Sequence, residues 1–380
     1  MGSLVRRFAE LVRSPTPDDR TLGVDSLLLL SEQTLAVQAM LESDSSIAQF
    51  LVGLCRSAAD VHEDVPSGSD RKLRAPSAEA LQLSVLRLLT VFSSHVLGCD
   101  QLVSDVRILS SLLDAAGRSA SAEATVAVAQ IFQKLLLRPH SAVVVVHGVG
   151  GPLVRFLTLM LSSLDDSQCD ASLAALLRVA LDAEHGRPLL VCTLGCVEMC
   201  LEVTKSTNAP QVLTAALQVL ACVTEVEEGA VQCVDVDGSA ARLLGLLAFP
   251  LVPVVQLTAE SLCNLARWQR GREVISACPH AVRTLAAGLW SPDGCTVRAL
   301  LAALRPICAH PACAADAVAV PRLAQRLAAV LAEPCAVAAT SAAALLASLA
   351  EHPAGVCACK QACARASHAC MHACVREVFF

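Results

Sequence analysis

The sequence predicts an all-α solenoid of about seven helical repeats, each 42–45 residues long, behind an N-terminal helical cap. Three observations carry the prediction. Large apolar residues recur at a nearly constant interval, and chain breakers recur at one phase of it. The composition suits closely packed helices, because apolar residues make up 54% of 380 residues while aromatics supply only 3% and Tyr is absent.

Taken from the N-terminus, residues 1–56 hold apolar-periodic runs over 22–30 and 47–54, which predict capping helices of a degenerate repeat. Residues 57–79 contain Pro66, Gly68 and Pro76 among Ser, Asp and Arg, the make-up of a flexible loop. The repeat array is predicted over 80–380. Its marker column is Leu89, Phe132, Leu177, Leu220, Leu262, Leu304 and Leu346, at spacings of 43, 45, 43, 42, 42 and 42. Four residues before each stand Val85, Val128, Leu173, Ala216, Thr258, Leu300 and Ala342, and three after each stand Phe92, Leu135, Ala180, Val223, Leu265, Ile307 and Leu349. This i, i+4, i+7 spacing is one face of a helix.

Each such helix ends at a breaker: Ser94-His95, Arg138-Pro139, His185-Gly186, Glu228-Gly229, Arg270-Gly271, His310-Pro311 and His352-Pro353. A second helical run then reaches a further turn, clearest at Gly150-Gly151-Pro152, Gly195 and Gly238, so every repeat holds at least two helices. The histidines at the turns, His95, His140, His185, His310 and His352, suit helix C-termini, where the macrodipole favours imidazolium.

The residues resemble the armadillo repeat family. Leu262-Cys263-Asn264-Leu265-Ala266 is similar to that family's third-helix signature, and Gly148-Val149-Gly150-Gly151-Pro152-Leu153-Val154 to its turn into the second helix. HEAT repeats have a neighbouring period and are the alternative. The armadillo resemblance implies a right-handed superhelix whose third helices line a concave groove, used to bind a peptide or a partner's helix. It implies no enzyme and no cofactor. The importin-α branch would imply a nuclear transport adaptor, but the column in which that branch carries Asn reads Val91, Lys134, Val179, Cys222, Asn264, Pro306 and Ser348, and Glu260 stands where its Trp would be.

Chemistry-bearing motifs add little. The sequence holds no G-x-S-x-G, Walker A, H-E-x-x-H or C-x-x-C pattern, and the 148–151 glycines lack the third glycine of a dinucleotide fingerprint. With 29 basic against 35 acidic residues and few basic clusters, nucleic acid is not an expected partner. The uncharged run 243–259 is interrupted by Pro250 and Pro253 and is too short for a membrane span, which needs about 20 residues. No apolar h-region follows Met1, and Arg6 stands where a myristoylation signal wants Ser or Thr, so the expected compartment is the cytoplasm, with the nucleus possible.

The 19 cysteines are then expected to be reduced and used as small hydrophobes. Cys357, Cys359, Cys363, Cys370 and Cys374, with His368 and His372, suggest a metal or redox role. On a helix the last four cysteines fall within about 60° of one another, spread over roughly 22 Å, with the histidines opposite. That pattern describes a core stripe, and Cys192, Cys196 and Cys200 repeat it on what the sequence predicts to be an ordinary repeat helix.

The expected contact surface is the outward face of the third helices. With Leu262 at the centre of the buried side, the helical period places Gln256, Glu260, Asn264 and Arg267 opposite, Trp268 at the edge, and Gln218 at the matching place one repeat earlier. Arg87, Gln130 and Lys134 fall in equivalent columns, and Asp182, Glu225 and Glu351 match Arg267. Ala302, Pro306, Ala309 and Ala344 make the same columns apolar in the last two repeats.

Overall fold

A computed structural model describes residues 2–32, 34–44, 46–60, 71–119, 121–163, 165–331 and 336–351. Among these residues it contains 22 α-helices and no strand. They divide into two compact units, Met1–Cys196 and Val197–Phe380.

The first unit opens with α1 (Gly2–Val12), α2 (Pro17–Leu30), α3 (Thr34–Ser43), α4 (Ile47–Asp60) and α5 (Arg71–Phe92). It continues with α6 (Val96–Val103), α7 (Val106–Arg118), α8 (Ala122–Leu136), α9 (Pro139–Leu161), α10 (Asp166–Ala180) and α11 (Gly186–Cys192). α5 packs on α8 and α8 on α10, so these are successive third helices; α2 packs on α5 in the same way, as α3 does on α6 and α4 on α7. Helices α3–α5 therefore form a complete three-helix repeat, with α1 and α2 as an incomplete one before it. The sequence assigned α3 and α4 to a separate cap. The loop expected over 57–79 is helical at both ends, since α4 runs to Asp60 and α5 starts at Arg71; residues 61–70 lie outside the described residues.

Two further differences come from packing. α9 runs unbroken through Gly150-Gly151-Pro152, where a turn was expected. Val145, Val149, Leu153, Leu157 and Leu161 are buried at every fourth residue across the glycine pair, and this continuous apolar face outweighs the local breakers. In α10, Leu176 is fully buried and Leu177 is not, so the repeat column passes through Leu176 at even spacings of 44 residues. The other six column residues are buried, as are all the partners three after and four before the expected column.

The second unit holds α12 (Cys196–Ser206), α13 (Pro210–Val223), α14 (Glu227–Asp235), α15 (Ser239–Leu246), α16 (Val252–Arg267) and α17 (Gln269–Ala277). α18 (Ala281–Gly288), α19 (Gly294–Ile307), α20 (Pro311–Ala319), α21 (Leu323–Leu331) and α22 (Ala336–Ala350) complete it. Its third helices stack in the order α13, α16, α19, α22. Their N-termini begin with Pro in the first turn of α13 and α16, or with the Asp293 cap of α19, whose carboxylate accepts from Thr296 N at 2.7 Å. Cys192 ends α11 and is exposed while Cys196 begins α12 and is buried, so the expected single cysteine-bearing helix is split at Gly195.

Three glycines near the repeat breaks act through close approach. A Cβ at Gly98 would lie 2.2 Å from Phe92 O, one at Gly186 1.9 Å from Val179 O, and one at Gly271 2.1 Å from Leu265 O. The first helix of each of these repeats thus sets its opening turn directly on the last turn of the preceding third helix, a contact only glycine allows.

Candidate protein-binding face of the third helices

The face rests on α13, α16 and α19, each holding its apolar column inward. Leu262 is fully buried, and Gln218, Gln256, Glu260, Asn264 and Trp268 are half-buried while Arg267 is exposed. Gln218 thus stands on α13 and the other five on or at the end of α16, all with part of their surface open. Gln256 Nε2 donates to Glu260 Oε1 at 3.1 Å, which ties these two together along α16. Arg267 meets no carboxylate in an ion pair among the described residues.

Asn264 has a second task. Its Nδ2 donates to Ala221 O at 2.9 Å, a carbonyl in the last turn of α13 that no helical N–H can reach. In the first unit Lys134, at the matching place on α8, donates from Nζ to Thr90 O at 2.7 Å and to Ser94 Oγ at 2.8 Å, near the end of α5. Burial holds the Lys134 ammonium below its ordinary pKa, and the negative end of the α5 dipole suits the cation there. At these two positions the column closes the C-terminus of the preceding third helix, a role the sequence does not announce because the acceptor lies 43 or 44 residues away.

Trp268 caps the end of α16 and the start of α17, and its Nε1–H is buried with no acceptor among the described residues. Arg87 is paired with Glu123 at 3.3 Å. In α10 the shifted column moves Leu181, 55% exposed, into the place expected for Asp182. The apolar end is also modified. Ala302 and Ala309 are exposed and Pro306 and Ala344 half-buried, but exposed Arg298 and Arg305 stand about two turns apart on α19, the helix that carries Ala302 and Pro306. Sequence reasoning passed over this pair because both arginines flank the columns it followed.

Three of the turn histidines occupy positions opposite to those expected, and His352 lies outside the described residues. His95, His185 and His310 are N-cap residues of α6, α11 and α20, at the positive ends of those helices, and none makes a side-chain cap bond. His185 meets His147, an exposed residue of α9, with ring centroids 4.4 Å apart.

Thirteen cysteines among the described residues stand as thiols outside any disulfide. Burial pushes the thiols of Cys55, Cys233 and Cys308 up to about 12 and that of Cys169 to about 11, so all four remain protonated and inert near neutrality. The C-terminal cysteine and histidine run lies outside the described residues. Among the described residues no three His, Cys, Asp or Glu side chains gather in a form that holds a metal ion. One helix, α9, is long and apolar enough to cross a membrane, and half of that stretch is buried against the rest of its unit.

No protein-family profile matches the sequence, and no curated protein matches it. Solved structures do. An engineered protein aligns over 98% of this chain and 97% of its own at 18% identity, with a TM-score of 0.64. A chain from work on a phosphorylation switch controlling the interaction between cadherin and beta-catenin covers 98% of this chain and 74% of its own at 15% identity, with a TM-score of 0.69. A designed armadillo repeat protein covers 64% of this chain and 100% of its own at 15% identity, with a TM-score of 0.53. The fold is the armadillo-repeat fold. At these identities the likeness speaks for architecture, and it agrees with the three-helix order seen within each unit. In armadillo terms, the predicted surface lies on the third helices.

Proposed function

We propose that this chain is a non-enzymatic protein-interaction scaffold, holding an extended peptide or a partner helix against the third helices of residues 197–351. Gln218, Gln256, Glu260, Arg267 and Trp268 supply the contacts. Asn264 anchors the surface by closing the end of α13. The observation that supports this reading is the mixed character of the face: half-buried amides, a free guanidinium at Arg267 and an aromatic edge stand over a fully buried column. Partially exposed aromatic and Arg side chains are the groups that contribute most to interfaces. The armadillo-fold neighbour from work on the cadherin and beta-catenin interaction supports protein partners in general. Such a scaffold would work in the cytoplasm or the nucleus.

The test leaves Asn264 in place, because its loss would disturb the stack. Gln256→Ala, Glu260→Ala and Arg267→Ala are combined, and partners captured by tagged wild-type protein are compared with those captured by the variant. The expected result is loss of wild-type partners at an unchanged melting temperature. Undiminished capture by the folded triple variant would reject this face. A matched set on the first helices, Gln269→Ala and Glu273→Ala, should leave capture intact.

A further inference from the structure

His147 and His185 stand 38 positions apart in sequence, on the first helices of successive repeats, and their rings meet edge to face at 4.4 Å and 64°. Their spacing is fixed from beneath. α9 and α11 pack together at Gly150, where a Cβ would come within 2.6 Å of Leu189 Cδ1, so the two helices approach closely. Both rings are solvent-exposed, and neither makes a side-chain hydrogen bond among the described residues.

Beside them, Asp182 is fixed by its own turn. Its Oδ1 accepts from Glu184 N and His185 N, both at 3.1 Å, and its Oδ2 lies 4.0 Å from His185 Nδ1. The carboxylate thus stands on the Nδ1 side of the His185 ring, the place from which an outer-shell carboxylate steadies a metal-bound imidazole once it closes to hydrogen-bond distance.

An ion held about 2.0–2.1 Å from one nitrogen of each ring would sit about 3.2 Å from each centroid, so two ligands at a right angle would place the centroids about 4.5 Å apart. The observed 4.4 Å puts the two rings within that reach, with rotation about the side-chain torsions bringing one nitrogen of each to the ion. We propose that His147 and His185 form a two-imidazole site for a divalent late first-row transition ion that takes ligands at right angles, such as Ni2+, with Asp182 as a positioning residue and water filling the remaining coordination places. Neutral imidazole suits these ions. Bound there, the ion would tie the first helices α9 and α11 together, coupling two neighbouring repeats.

Titration of the full chain with Ni2+ tests the site. The cysteines elsewhere are common to all variants, so the comparison isolates the histidine pair. Wild type is expected to bind one more equivalent than His147→Ala or His185→Ala, and added Ni2+ is expected to raise the melting temperature of wild type beyond that of either variant. His147→Gln and His185→Gln, which keep side-chain bulk, should show the same loss if an alanine variant folds poorly. Asp182→Asn should keep the stoichiometry and weaken binding about tenfold, because it disturbs only the outer shell. Equal stoichiometry and affinity in wild type and the folded histidine variants would overturn the proposal.

Discussion

At the scale of single residues, the repeat turn shows how one backbone position is filled in different ways. Gly195, Gly238, His280 and Arg322 recur 43, 42 and 42 residues apart, and all four have positive φ, between 61° and 81°. Glycine accepts this left-handed conformation without steric cost, whereas a side chain there costs of order 1–3 kcal/mol. His280 and Arg322 are exposed, so replacing them loses no packing. His280→Gly and Arg322→Gly should each raise stability in urea unfolding by about 0.5–1 kcal/mol, after the entropy of the added glycine is counted. A decrease in either would show that the side chain makes a contact that offsets the strain.

The capping aspartates give the pH dependence. The hydroxyl and backbone N–H of Thr296 hold the Asp293 carboxyl below its ordinary value of 3.8, and Ser167 and Gln168 do the same for Asp165. A carboxylate with a depressed folded pKa contributes stability above the unfolded value and loses it as pH falls through the folded one. Both contributions are therefore complete above pH 3.8 and decline below it. Asp293→Asn keeps a cap-forming side chain but removes the titration, so its unfolding midpoint should fall less than that of wild type between pH 4 and pH 2. Parallel acid limbs would count against this cap as a source of acid sensitivity.

At the scale of elements, the glycines divide by what surrounds them. Gly98→Ala drives a methyl into the Phe92 carbonyl and should destabilise by about 2–3 kcal/mol or more, since backbone rather than a side chain must move. Gly151→Ala meets nothing within 4 Å in the interior of α9 and should stabilise by about 0.5–1 kcal/mol through helix propensity alone. Opposite signs in thermal unfolding would confirm that α9 is continuous. The register of α10 is open to a similar contrast, with Leu176→Ala costing about 2–5 kcal/mol and Leu177→Ala much less. If Leu177→Ala proved the more costly, the even spacing would be wrong.

For the molecule as a whole, stacked repeats touch only their neighbours, so a cavity in one is felt locally. The chain divides into two compact units within one repeat, between α11 and α12. Leu304→Ala, deep in α19, should speed amide exchange in α16, α19 and α22 while α5 and α8 keep their protection. Equal acceleration in residues 71–136 would show that the chain unfolds as one unit.

The sequence by itself determined the helical class, the repeat length and the inward column, because burial on one side of a helix imposes a period that survives the loss of any single residue. Six of the seven column residues stand buried where that period put them, and the outward placement of Gln218, Gln256, Glu260, Asn264 and Arg267 follows from the same geometry. Local signals read less well. Gly150-Gly151-Pro152 reads as a turn, yet the apolar face on both sides holds α9 together; Leu177 and Leu176 are equally apolar, and only packing chooses between them. Tertiary structure alone decided what pairs across repeats: Asn264 with Ala221, Lys134 with Thr90, His147 with His185. These contacts join residues about one repeat apart, and nothing along the chain marks which polar residue will meet which carbonyl or ring until the helices are stacked.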